Sequence, residues 1–189
     1  MIIDIFITIL LTTIIQSIFG VGVLLFGTPI LLALGYDFQI TLSILLPISI
    51  FINLMQLKKN FDKIDYTFYK RLLVYSVPFT VMSLILVSSQ NIDINLFVGM
   101  FLIILAMKNL STFLKNIFTN FLKYERIYLI GLGLLHGFSN LGGAMLSGVV
   151  LSKNANKESK RSTIAICYLT LAIFQIIALI ITKKGYIFL

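Results

Sequence analysis

Six long apolar stretches follow one another along the chain, separated by short polar loops. The first covers residues 5–34 and is interrupted at Phe19-Gly20-Val21-Gly22, with Pro29 further on. It is too long for one straight crossing, because a helix needs only about 20 apolar residues to span the hydrocarbon. The others are 38–57, 72–87, 94–107, 127–151 and 163–182. None alternates with period two over its length, which argues against barrel strands. A helix satisfies every backbone group within its own segment, as a lipid surrounding demands. The pattern predicts an all-α integral membrane protein, a polytopic helical bundle whose first and fifth segments carry glycine breaks.

Composition agrees. Of 189 residues, 59% are hydrophobic and 12% charged, with mean hydropathy +1.03; soluble domains average about 45–50% and about 25%. A soluble enzyme, a nucleic-acid-binding domain and a disordered chain are excluded, and the lipid bilayer is the implied partner. The net charge of +8 reads as cationic loops holding the topology against the cytoplasmic face. Residues 1–4 contain no basic leader and no small-x-small cleavage site follows, so the N-terminus reads as the start of a span. With that end inside, eleven cations fall in cytoplasmic loops: Lys58, Lys59, Lys63, Lys70, Arg71, Lys108, Lys115, Lys123, Arg126, Lys183 and Lys184. Only Lys153, Lys157, Lys160 and Arg161 fall outside, all in one short loop. That loop is either an ordinary solvated loop or a cationic mouth that attracts anions.

Little chemistry is available at depth. The acids Asp4, Asp37, Asp62, Asp65, Asp93, Glu125 and Glu158 all lie near segment ends or in loops. This disfavours a paired-carboxylate enzyme or a carboxylate proton relay. One His and one Cys (Cys167) cannot build a metal site, and no cofactor is implied. No nucleotide-binding P-loop is present, so drive must come from the membrane potential, a proton or a co-ion. At 100 mV inside negative, expelling one negative charge gains about 2.3 kcal/mol, which is sufficient.

What remains is backbone. The stretches Gln16-Ser17-Ile18-Phe19-Gly20-Val21-Gly22 and His136-Gly137-Phe138-Ser139-Asn140-Leu141-Gly142-Gly143 have two readings. Glycines can unwind a helix and aim amide N–H groups and a positive dipole end at an anion. They also allow close helix–helix packing. His136 is the one ionisable group well inside a span; it carries a proton, donates to an anion, or bonds a neighbouring carbonyl. Arg161 opens the sixth segment ahead of Ser162 and Thr163. Its fork suits oxyanions such as sulfite or a sulfonate, and an interfacial arginine also snorkels. A shift of 120 residues puts Gly22 on Gly142, Ser43 on Thr163 and Ile44 on Ile164. Glycine-broken helices in corresponding positions of two repeats mark the substrate site of many transporters.

The chain resembles the TauE/SafE family of sulfite-exporter-like membrane proteins. The resemblance rests on Phe19-Gly20-Val21-Gly22, Thr28-Pro29-Ile30-Leu31-Leu32-Ala33-Leu34-Gly35, Ile40-Thr41-Leu42-Ser43-Ile44-Leu45-Leu46 and Lys63-Ile64-Asp65-Tyr66. In the second half it rests on the stretch from Gly133 to Gly143 and on Lys160-Arg161-Ser162-Thr163. It implies a multi-pass protein of the cytoplasmic membrane, built of two four-helix repeats, that moves small sulfur-containing anions outward. It also implies that Gly20, Gly22, Gly142 and Gly143 mark central re-entrant or broken helices, with Arg161 and Thr163 at the start of the following helix. Together with Ser43, His136 and Asn140 these form the expected anion-binding set. The expected organisation is a first repeat over 1–114, a cytoplasmic connecting loop over 115–126 and a second repeat over 127–189 that lacks its closing helix pair. The chain is then a truncated or degenerate member, a membrane subunit that does not transport, or one whose missing wall comes from another subunit, as in a homo-oligomer.

Overall fold

The computed structural model describes residues 2–58, 60–90, 92–107 and 111–182. Lys59, Lys108, Lys183 and Lys184 lie outside the described residues, as do the side chains of Phe19 and Lys115. The described chain is helical throughout and no strand occurs in it. Its helices are α1 (Ile2–Phe19), α2 (Val23–Ala33), α3 (Phe38–Leu57), α4 (Tyr66–Tyr75), α5 (Val77–Gln90), α6 (Asn95–Met107), α7 (Thr112–Leu122), α8 (Glu125–Ser139), α9 (Gly142–Ser152) and α10 (Lys157–Ile181). Among the described residues three stretches are long and apolar enough to cross a membrane: Phe38–Leu57, Tyr66–Gln90 and Lys157–Ile181. The second joins α4 to α5 across a break at Ser76, where Pro78 lacks the N–H that would continue the ladder. The protein is a polytopic helical membrane protein.

Both glycine breaks reverse the chain. Gly20 (φ 80°) ends α1 and Asn140 (φ 61°) ends α8, each in the left-handed region that few side chains tolerate. A Cβ on Gly22 would strike the backbone of Gln16 and Thr12, six and ten residues earlier. A Cβ on Gly142 would strike His136 and the Leu132 carbonyl, again six and ten residues earlier. Each following helix therefore starts against the flank of the one before it. At the far end of α2, Tyr36 lies within the field of Asp4 in the first turn of α1. In the other pair, the Tyr128 hydroxyl donates to the Met145 carbonyl at 2.9 Å. Hence α1/α2 and α8/α9 are antiparallel hairpins. The stretch 127–151, counted as one apolar segment with a glycine break, thus runs in as α8 and returns as α9.

Those reversals overturn the expected division of the loops. Asp65 binds Lys153 at 3.0 Å, Lys63 pairs with Glu158, and the Asp65 N–H donates to Thr163 Oγ1 at 2.9 Å. The loops after α3 and α9 therefore share one face instead of facing opposite sides. Helix α8 runs parallel to α4–α5: Arg71 pairs with Glu125 at 2.9 Å, Ser76 Oγ donates to the Leu129 carbonyl at 2.7 Å, and Thr80 Oγ1 to the Gly133 carbonyl at 3.1 Å. Gly133 and Gly137 face Ser76, Thr80 and Ser83 with no room for a side chain; here the small residues do serve close packing.

The charges segregate accordingly. Lys58, Lys63, Lys70, Arg71, Lys123, Arg126, Lys153, Lys157, Lys160 and Arg161 all belong to the end where α4, α8 and α10 begin, the basic face. The opposite end holds the α1 start, the α2–α3 turn and the α5–α6 turn. It carries Asp4, Asp37 and Asp93 and, among the described residues, no Lys or Arg. The connection expected as a loop over 115–126 is largely α7. Its apolar residues recur at 113, 117 and 121 and at 114, 118 and 122, an amphipathic spacing, and Phe121 packs on Tyr128 with centroids 5.3 Å apart.

Candidate functional site

The nine expected anion-binding residues separate into two groups, with one outlier. Near the basic face lie Gly20, Gly22, Arg161 and Thr163. Arg161 Nη2 donates to the Ser17 carbonyl at 2.5 Å, capping α1, and the guanidinium is exposed. Thr163 is occupied as the acceptor of the Asp65 N–H. Farther in lie His136, Asn140, Gly142 and Gly143. Ser43 belongs to neither group: its hydroxyl donates back to the Gln39 carbonyl at 2.8 Å within α3.

The first turn is largely self-satisfied. Gln16 Oε1 accepts the Val23 N–H at 2.9 Å, at the start of α2, and Gln16 Nε2 reaches Asn53 Oδ1 at 3.4 Å. Gln56 Nε2 donates to the Gln16 carbonyl at 3.1 Å. These amides tie the hairpin to α3. In the second turn Ser139 Oγ accepts the Leu141 N–H at 3.3 Å. The turn amides are thus less bare than the glycine pattern implies.

The second turn nevertheless gathers unsatisfied polar side chains. His136 is fully buried and neither ring nitrogen has a hydrogen-bond partner. The expected alternative, a ring bonded to a neighbouring carbonyl, is absent. The Gln175 amide approaches the same residue, with Nε2 3.4 Å from the His136 carbonyl, and its Oε1 has no partner. The Tyr168 ring stands edge-on to His136 at 6.2 Å. Its hydroxyl fills the space left by Gly143 and is likewise unpartnered. Asn140 Nδ2 donates to Thr28 Oγ1 on α2 at 2.8 Å while Oδ1 is free. Buried polar groups in lipid are costly when unpaired, and five such atoms gather around this one turn.

Tyr168 and Gln175 escaped the sequence reading because both sit within an apolar run. Their spacing of seven residues, two helical turns on one face, is the signal that could have exposed them. Arg161 is seven and fourteen residues from them, about 10 and 21 Å along α10, so it does not join this cluster.

Each face has a vestibule. On the basic side a cavity of about 430 Å³ is bounded by Ser17, Met55, Gln56, Asn60 and Arg161. On the acidic side a cavity of about 490 Å³ is bounded by Leu32, Tyr36, Asp37, Asp93 and Asn95. At the basic rim, burial opposes charge on Asp65, but the Phe68 N–H and the Lys153 ammonium outweigh it and hold its pKa below the usual carboxylate value. Lys153 also sits 4.1 Å over the Phe68 ring, so this corner of the basic face is braced on both sides.

No curated protein and no solved structure matches the chain. A family model described as "Sulfite exporter TauE/SafE" matches residues 5–189, nearly the whole length. By that match, this helical membrane protein belongs to the TauE/SafE sulfite exporter family.

Proposed function

We propose that this protein carries a small anion, sulfite or an organosulfonate, out of the cell. The observation that carries the reading is the group of unpartnered buried atoms on His136, Asn140, Tyr168 and Gln175: the imidazole and the phenol can donate to a compact oxyanion, while the two amide oxygens can accept from an acidic hydroxyl or from the imidazole. His136, Asn140, Gly142 and Gly143 then belong to the binding turn. Gly20, Gly22, Arg161 and Thr163 belong to the basic entrance, and Ser43 lies outside both.

The charges support an orientation. Positive residues mark the cytoplasmic side, so the basic face is cytoplasmic and the N-terminus lies outside, the reverse of the orientation expected from loop counting. Anions concentrate at the Arg161 vestibule and depart past Asp37 and Asp93. The two halves are read as inverted repeats. Support comes from the matching six- and ten-residue contacts of Gly22 and Gly142 and from the matching left-handed turns at Gly20 and Asn140. Rocking of one hairpin against the α3–α10 pair would open the turn to each side alternately. The test is flux: proteoliposomes containing the purified protein release sulfite or methanesulfonate faster than empty vesicles, and equal rates would overturn the proposal.

A further inference from the structure

We infer that His136 takes up a proton together with the anion, so that a singly charged oxyanion and its proton cross as a neutral pair. This deepens the transport reading and rests on it.

The argument is one of missing charge. An anion at the second turn needs a positive counterpart, because a lone charge away from water is strongly disfavoured. Among the described residues, no cation is recorded at this turn. Arg161 caps the Ser17 carbonyl at the basic face, Lys153 is paired with Asp65, and Arg71 with Glu125. The groups recorded around His136 among the described residues are neutral: Asn140 just after its own helix, Thr80 and Ser83 of α5 against the adjoining Gly137, the Gly142 backbone from α9, and Tyr168 and Gln175 from α10. An imidazolium alone is therefore as unwelcome there as an anion alone, and the two are tolerable only together.

The ring's own geometry fits the task. With both nitrogens unpartnered, a protonated imidazole presents two donors. One can reach the anion, and the other can reach the free Gln175 Oε1 or the Tyr168 hydroxyl. Tyr168 can also donate to a second oxygen of the anion. The proton enters the ring nitrogen at one face and leaves it at the other with the anion, so no net charge moves.

Because His136 is the chain's one histidine, protein grown with 15N-labelled histidine reports on this residue alone. At neutral pH the 15N spectrum should show a neutral imidazole without ligand and an imidazolium once methanesulfonate or sulfite is bound. In proteoliposomes, one proton should leave with each methanesulfonate, at a rate indifferent to a clamped membrane potential. His136→Gln should cut that proton-coupled flux at least tenfold while thermal unfolding shows it still folded. A ring that stays neutral with anion bound, or wild-type flux that carries net negative charge, overturns the proton inference and leaves the transport reading standing. Absence of any binding or flux in the wild type overturns both.

Discussion

Asn140 Nδ2 donates to Thr28 Oγ1 at 2.8 Å across 112 residues of sequence, joining the tip of the second hairpin to the middle of α2. Both side chains are fully buried. The bond links the two proposed repeats at the point where Asn140 also supplies the left-handed backbone of the turn. Asn140→Ala should lower stability by about 1–3 kcal/mol, because it strands a buried hydroxyl and strains the turn. Asn140→Gly, which keeps the backbone and loses only the bond, should cost less. Thermal unfolding in detergent measures both, and equal losses would contradict the account of the turn.

Gly143 is small because the Tyr168 hydroxyl occupies the place of its missing side chain. Gly143→Ala should destabilise by about 1–3 kcal/mol, the usual cost of overpacking. Adding Tyr168→Phe, which removes the colliding oxygen but leaves the ring carbon Cζ crowding the new Cβ, should restore only part of that loss. Strict additivity of the two changes would mean that they do not touch.

Sharing of one face by the loops after α3 and α9 gives a labelling prediction. In a Cys167→Ala background, single cysteines at Lys58 and Lys157 should react with an impermeant maleimide from the same side of sealed vesicles. Cysteines at Asp37 and Asp93 should react from the other side. In right-side-out cells the second pair should label and the first should not. The converse pattern would reverse the orientation without disturbing the fold; labelling of Lys58 and Lys157 from opposite sides would contradict the fold.

Burial opposes charge on Asp65, but the Phe68 N–H and Lys153 together outweigh it, so the group holds its proton less tightly than a free carboxylate. A depressed folded-state pKa stabilises above the unfolded pKa of about 3.9 and is lost as pH falls through the folded value. The side chain is 34% exposed, so the effect is small. Unfolding midpoints should drop below about pH 4 in the wild type. The part of that drop that vanishes in Asp65→Asn belongs to this pair, and an unchanged acid slope in the variant would remove it.

The reversal points were legible because left-handed backbone favours Gly and Asn, and both mark the turns at Gly20 and Asn140. Whether the chain folds back there or merely breaks was open in the letters, which allow re-entrant and broken helices alike. In lipid an apolar run looks alike whether it crosses or returns, and only the contacts of Gly22 and Gly142 separate the two cases. Misreading the reversals carried over into the loops, since each unrecognised hairpin flips the side assigned to everything after it. The amphipathic period of α7 was present in the letters but masked by its polar residues. His136 and Asn140 stood out as polar groups beside glycines, whereas Tyr168 and Gln175 were hidden on a helix whose other residues are mostly apolar.

Ligand-dependent unfolding locates the anion most directly, since a ligand that binds only the folded protein raises its midpoint in proportion to occupancy. Sulfite titrated into the detergent-solubilised protein should raise the midpoint of the wild type and of Ser43→Ala, and should leave that of His136→Ala unchanged. A midpoint that still rises in His136→Ala but no longer does so in Arg161→Ala would place the anion at the basic vestibule and contradict a binding turn between α8, α9 and α10.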